Sequence, residues 1–182
     1  MKKKPTWRTP ELFFLLPGTV LSCAALPAHA EQYHTLEQVQ RLFFPSATQF
    51  AEQVFLLSAA QRKNIASRAN VRVREAQVKL WQALENHKVL GSIIVDEVSG
   101  KHEAITYAIA ISPKGHIQGL EIMAYRELYG ERIRESRWRS QFIGKTLHDA
   151  LSIEQDIKNI SGATLSCSHV TEGVRRLLAT YA

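Results

Sequence analysis

The spacing of apolar residues changes period along this chain, and each change predicts an element. From Thr35 to about Phe44, Leu36, Val39, Leu42 and Phe43 share one helical face, with Thr35 and Gln38 spaced as a capping box and Pro45 ending the run. A second helical segment is expected from Ala47 into Leu57. Ser58 and Gln61 repeat the capping-box spacing and open a short basic helix to about Arg68, with Asn70 as its stop. The period then falls to two: Val71 to Arg74 and Val78 to Leu80 alternate apolar with charged side chains, and Gly91 to Val95 is a short apolar run, so each predicts a strand. Ala104–Ile111 and His116–Met123 flank Ser112-Pro113-Lys114-Gly115, whose proline and glycine favour a tight reversal and hence a hairpin. At the end of the chain Val170, Val174, Leu177, Leu178 and Tyr181 return to helical spacing, which predicts a C-terminal helix starting near Ser166 to Ser168. The expected fold class is α+β: N-terminal helices, then a mainly antiparallel sheet, then a C-terminal helix.

The first 30 residues follow another rule. Lys2, Lys3, Lys4 and Arg8 precede an apolar stretch from Leu12, broken by Pro17 and Gly18, and Ala28-His29-Ala30 closes it as an A-x-A site. This is the arrangement of a cleaved secretory signal, with an uncleaved anchor as the alternative. The expected organisation is a signal peptide at 1–30, a helical segment at 31–70 and a ligand-binding domain at 71–182, with the mature protein periplasmic.

Removal of that segment corrects the charge. It takes four of 23 basic and one of 17 acidic residues, leaving 19 against 16 and a net charge of +3 rather than +6. So mild a surplus, on an exported chain, argues against a nucleic-acid partner and suits a small anion. Cys167 alone survives processing, so no intrachain disulfide can form; it reads as a buried small residue before it reads as a nucleophile. His169 has no second ligand at helical spacing, so a capping or surface role is expected and no metal site. No catalytic triad or carboxylate pair is evident, and an electron carrier or binding protein is favoured over a substrate-specific enzyme.

The chemistry concentrates before the last helix, in Ser161-Gly162-Ala163-Thr164-Leu165-Ser166. Helix N-termini present unpartnered N–H groups and the positive end of the macrodipole, Gly162 permits positive φ, and Thr164, Ser166 and Ser168 add hydroxyls. Such a bend suits a phosphate, although Ser and Thr before a helix are also ordinary caps. It is no Walker loop, since no Gly-Lys-Ser/Thr ending follows. Upstream, Tyr125 to Lys145 mixes Arg132, Arg134, Arg137 and Arg139 with Tyr129, Trp138 and Phe142; it reads either as a solvated helix face or as a ligand wall.

The Ser161–Ser166 stretch, followed by Val170, closely resembles the flavinylation motif of the FMN-binding domain family. That family includes the flavin-bearing periplasmic subunits of Rnf and sodium-pumping NADH:quinone reductase complexes, domains of nitrous-oxide-reduction regulators and small exported flavoproteins. Less sharply, the hairpin, Tyr125-Arg126-Glu127-Leu128-Tyr129-Gly130 and Trp138 to Lys145 resemble family segments, so that the likeness spans roughly residues 90–182. It implies FMN as cofactor, joined by a phosphoester to Thr164 and installed by a Mg-dependent flavin transferase that uses FAD. It also implies a membrane or periplasmic redox partner. Ser161, Gly162, Ala163, Leu165 and Ser166 would surround the phosphate or ribityl chain, and Glu127, Tyr129, Gly130 and Lys145 would be ring or phosphate neighbours. The family often has an acidic residue three positions before the motif serine, where this chain has Lys158; Asp156 lies two residues earlier. The expected function is therefore a periplasmic electron-transfer flavoprotein, the alternative a non-redox flavin- or phosphate-binding sensor or accessory module.

Overall fold

The computed structural model describes residues 31–126 and 130–182. The expectation of a leader at 1–30, and those on Glu127 and Tyr129, lie outside the described residues.

Six strands form one antiparallel sheet in the order β1-β6-β5-β4-β3-β2. They are β1 (Glu31–Gln32), β2 (Gln49–Leu56), β3 (Gln77–Glu85), β4 (Lys88–Ser99), β5 (Ala104–Ile111) and β6 (Ile117–Tyr125). Helices α1 (Leu36–Phe43), α2 (Ala59–Ala69), α3 (Ser136–Arg139) and α4 (Thr164–Tyr181) complete the fold, which is α+β as expected. Both predicted capping boxes form: Thr35 N donates to Gln38 Oε1 at 2.7 Å, and Ser58 N to Gln61 Oε1 at 2.9 Å. Asn70 ends α2 in the left-handed conformation with φ 49°, a role its short side chain tolerates. The hairpin closes through Gly115 N to Ser112 O at 2.9 Å and Ser112 N to His116 O at 2.8 Å.

The sheet separates two cores. On one face Ile94, Ile105, Tyr107, Ile109 and Ile122 meet Val170, Val174, Leu177 and Leu178 of α4. On the other, Ile93, Ala108, Ala110 and Met123 meet Val39 and Phe44 at α1. The central strands thus bury both faces, which is why β5 reads as a nearly unbroken apolar run.

Two expected elements are corrected. Ala47 to Leu57 is not a helix: Gln49–Leu56 is a sheet-edge strand paired with β3 over eight residues, from Gln49↔Leu84 to Leu56↔Gln77. Ala47, Ala51 and Phe55, like Phe50 and Val54, recur at four-residue spacing and imitate a helix, but the ladder to β3 decides the conformation. Val71–Arg74 is not a strand either. It has no ladder partner, and its alternation arises because Val71 and Val73 lean on Ile65, Ala69 and Ala179.

Candidate functional site

α4 starts at Thr164, two to four residues earlier than the apolar spacing suggests. Ala163 N donates to Ile160 O at 2.9 Å, closing a turn in which Gly162 takes φ 83°. Ala163 O then accepts Cys167 N at 2.9 Å and begins the helix. Residues 164–169 therefore carry no apolar period only because they hold the hydroxyl motif, and they are helical all the same. Ala163 is the N-cap, and no side chain caps the helix. Its first-turn N–H groups are thereby left for an anion.

Thr164 occupies the first helical position. Asn159 fixes its hydroxyl: Asn159 Oδ1 accepts Ile160 N at 2.8 Å, while Asn159 Nδ2 donates to Thr164 Oγ1 at 3.0 Å. Thr164 and Leu165 are exposed, whereas Ser166 is buried with its hydroxyl 3.2 Å from that of Tyr125. Ser166 thus ties α4 to the end of β6. Gly130 packs against the same place, since a Cβ there would lie 2.6 Å from Tyr125 Oη and 3.1 Å from Ala163 Cβ.

Above this helix start lies a cleft of about 590 Å3. The turn from Ile160 to Ser166 forms one wall, with Gly130, Arg132, Lys101 and His102 around it. A second depression of about 370 Å3 adjoins it, sharing Arg132, Ile160 and Ser161 and extending to Arg137, Gln141, Lys158 and Asn159. The expected residues Ser161, Gly162, Ala163, Thr164, Leu165, Ser166 and Gly130 are thus gathered in one cleft. Arg132 was visible only as one of several arginines, and Lys101 and His102 carry no motif. The β4–β5 turn brings that pair in, and no local pattern announces it.

Lys145 is placed elsewhere. Its ammonium lies 2.9 Å from Asp156 Oδ2 and lines neither depression. Asp156 also accepts Leu151 N at 3.0 Å and Ser152 N at 2.9 Å. Burial pushes its carboxyl up, but the Ser152 and Leu151 N–H groups and Lys145 outweigh that and hold it below the usual carboxylate range. Asp156 is therefore committed to the 151–157 loop and is not available as the acid that Lys158 replaces. A carboxyl depressed in the folded state adds stability above its unfolded pKa, and that stability is lost as pH falls through its folded value. Asp156→Ala is expected to cost about 2 kcal/mol at neutral pH. In urea denaturation the gap to wild type should close as pH falls below about 4; a constant gap would refute the assignment.

The arginine-rich segment resolves into short turns. Trp138 is core, donating Nε1 to Lys158 O at 2.9 Å and meeting Phe142 edge-on at 5.1 Å between centroids. It borders the second depression but is only 3% exposed, so little of its ring can meet a ligand. Arg139 is drawn inward to Glu121 and Leu120 O, and Arg134 pairs with Glu131 and covers the Tyr33 ring at 3.3 Å. Arg132 and Arg137 are the arginines of this segment that line the depressions. Lys158 is held by its backbone, its N–H donating to Gln141 Oε1 at 2.7 Å. Cys167 is buried, which pushes its thiol pKa up, and a ring nitrogen of His169 meets Ser99 O.

This donor set fits a flavin mononucleotide: an uncapped helix start and cations for a phosphate, and an open cleft beside them for the rest of the molecule. The comparisons agree with that chemistry. A family model for the FMN-binding domain matches residues 100–179. Among solved structures, NqrC of Shewanella oneidensis shares the fold with a TM-score of 0.54 at 15% identity, over 76% of this chain and 89% of that one. The comparison with curated proteins finds no match. Over residues 100–179 the chain matches the model of the FMN-binding domain family, a match that supports FMN as the cofactor.

Proposed function

We propose that this protein is an exported electron-transfer flavoprotein that holds FMN as a phosphoester on Thr164. The observation that carries the reading is the Thr164 hydroxyl: first in an uncapped helix, fixed by Asn159 at 3.0 Å, and set in a cleft walled by Gly130 and Arg132. Residues 1–30, with their basic cluster, apolar stretch and A-x-A ending, support export. Bound FMN supplies the redox chemistry. The chain's share is to hold the phosphate at the α4 start, to offset its charge with Arg132 and Lys101, and to keep the cofactor from washing out of an extracytoplasmic compartment.

Attachment by a flavin transferase balances simply. The bond from Thr164 Oγ1 to the FMN-side phosphorus of FAD forms, the pyrophosphate P–O bond breaks, AMP leaves, and the hydroxyl proton is released. Intact mass decides it. Protein made with the transferase and denatured before analysis should gain one FMN less water, while an unmodified mass under conditions that flavinylate a control domain would end the covalent reading. Lys158 favours a second one, in which FMN is held reversibly and serves as a sensed ligand; that protein is yellow until denatured.

Asn159 offers a finer test. Loss of one hydrogen bond of about 1 kcal/mol corresponds to about fivefold in rate. Asn159→Ala, at a partly exposed loop position, should slow the time course of flavinylation by about that factor with little change in melting temperature. An unchanged rate would mean that the transferase itself orients the hydroxyl.

A further inference from the structure

At the far end of α4 from Thr164, the sheet and helices border a separate, partly open cavity of about 280 Å3. Alternate positions of three strands form its floor: Phe55 of β2, Leu80 of β3 and Ile94 of β4 supply the apolar part. Gln61 of α2 and Thr180 and Tyr181 of α4 stand over it. No charged side chain is among its lining residues. One side is polar. Gln82 and Ser92 face each other across β3 and β4, and Gln53 Nε2 donates to Gln82 Oε1 at 2.9 Å, so the Gln82 amide is oriented from β2. Ser92 is 1% exposed and its hydroxyl has no hydrogen-bond partner. Buried hydroxyls are normally satisfied, and one left alone on a cavity wall points to a missing partner.

We propose that this cavity is a second binding site, for a neutral, ring-sized molecule with an apolar body and a single hydroxyl or carbonyl oxygen that meets Ser92 and Gln82. The lining offers no charged side chain to pair with an ion, so it suits a neutral molecule. The volume suffices for one ring and a small substituent, a cavity of about 150 Å3 being enough for benzene. None of its lining residues borders the Thr164 cleft. The 18-residue helix between the two separates them by roughly 25 Å.

Phenol, with benzene as its apolar counterpart, is the probe, read by amide NMR titration of the protein. Phenol should saturate, shift the amides of Leu80, Ser92 and Thr180, leave those of Gly162 to Ser166 in place, and bind about tenfold more tightly than benzene. Ser92→Ala should remain folded and abolish the tenfold preference. Failure to saturate at millimolar phenol, equal binding of the two probes, shifts confined to the Thr164 cleft, or a preference that persists in Ser92→Ala would each overturn the site. Should Ser92→Ala unfold, the comparison of phenol with benzene on the wild type decides alone.

Discussion

Thr164→Ala should abolish covalent flavin altogether: under conditions in which the wild type gains FMN less water, the denatured variant should keep its unmodified mass. The effect is all or none because the neighbouring hydroxyls cannot take over. Ser166 is buried against Tyr125, and Ser161 lies on the turn, three residues before the position that Asn159 orients. Thr164 is exposed at the first helical position, where replacing threonine with alanine changes stability by about 0.5 kcal/mol or less. A normal urea midpoint should therefore accompany the lost adduct. Thr164→Ser, which keeps the hydroxyl, should retain some modification. If Thr164→Ala carries the adduct undiminished, the site has been misplaced and Ser161 becomes the residue to test. If the alanine variant still binds FMN but releases it on denaturation, the cleft holds the cofactor independently of the ester, and the anchor serves retention.

Whatever depended on a few consecutive residues was legible in the sequence. Thr35 with Gln38, Ser58 with Gln61, the left-handed Asn70 and the Ser112–Gly115 reversal each satisfy their own backbone groups, so their residue types announce them. The Ser161–Ser166 motif belongs to the same class, since its turn is closed by Ile160 and Ala163. What depended on distant partners was hidden. Phe50, Val54 and Phe55 have helical spacing but lie in β2, because β3, more than twenty residues on, supplies the ladder. Val71 to Arg74 alternates without a strand because packing on α2 and α4 imposes the same period. Lys101 and His102 reach the cleft only because β4 and β5 are long enough to carry their turn there. Asp156 shows the same limit: its three contacts from Lys145, Leu151 and Ser152 remove it from the site, although it lies within five residues of Ser161.

Gly173→Ala should destabilise the fold by about 3 kcal/mol, opposite in sign to helix propensity. In a solvated helix the change from glycine to alanine stabilises by about 1 kcal/mol. Gly173 is buried in α4 where the helix crosses β5, and a Cβ there would collide with the Tyr107 hydroxyl while lying 3.2 Å from Tyr107 Cζ and 3.0 Å from Val98 Cγ1. Tyr107 cannot yield without loss. It is fully buried and donates to Asp96 Oδ2 at 2.6 Å, and Arg176, one turn along α4, pairs with the same oxygen at 2.6 Å. Burial pushes the Asp96 carboxyl up against the pull of Arg176 and Tyr107, so displacing the phenol worsens a carboxylate already short of solvation. Overpacking costs about 1–3 kcal/mol, and a hydrogen bond lost from a buried charge about 1.5–3 kcal/mol; together they exceed the propensity gain. Urea denaturation of Gly173→Ala, Tyr107→Phe and the double variant separates these effects. With the hydroxyl gone, the added methyl meets its remaining neighbours at 3.0 Å or more. The double variant should therefore be more stable than the two single losses predict, by about 1.5 kcal/mol. Strict additivity would show that the methyl and the phenol never compete. A stabilised Gly173→Ala would show that α4 has room to shift on the sheet, and the Thr164 end of that helix would then be less firmly positioned than its packing implies.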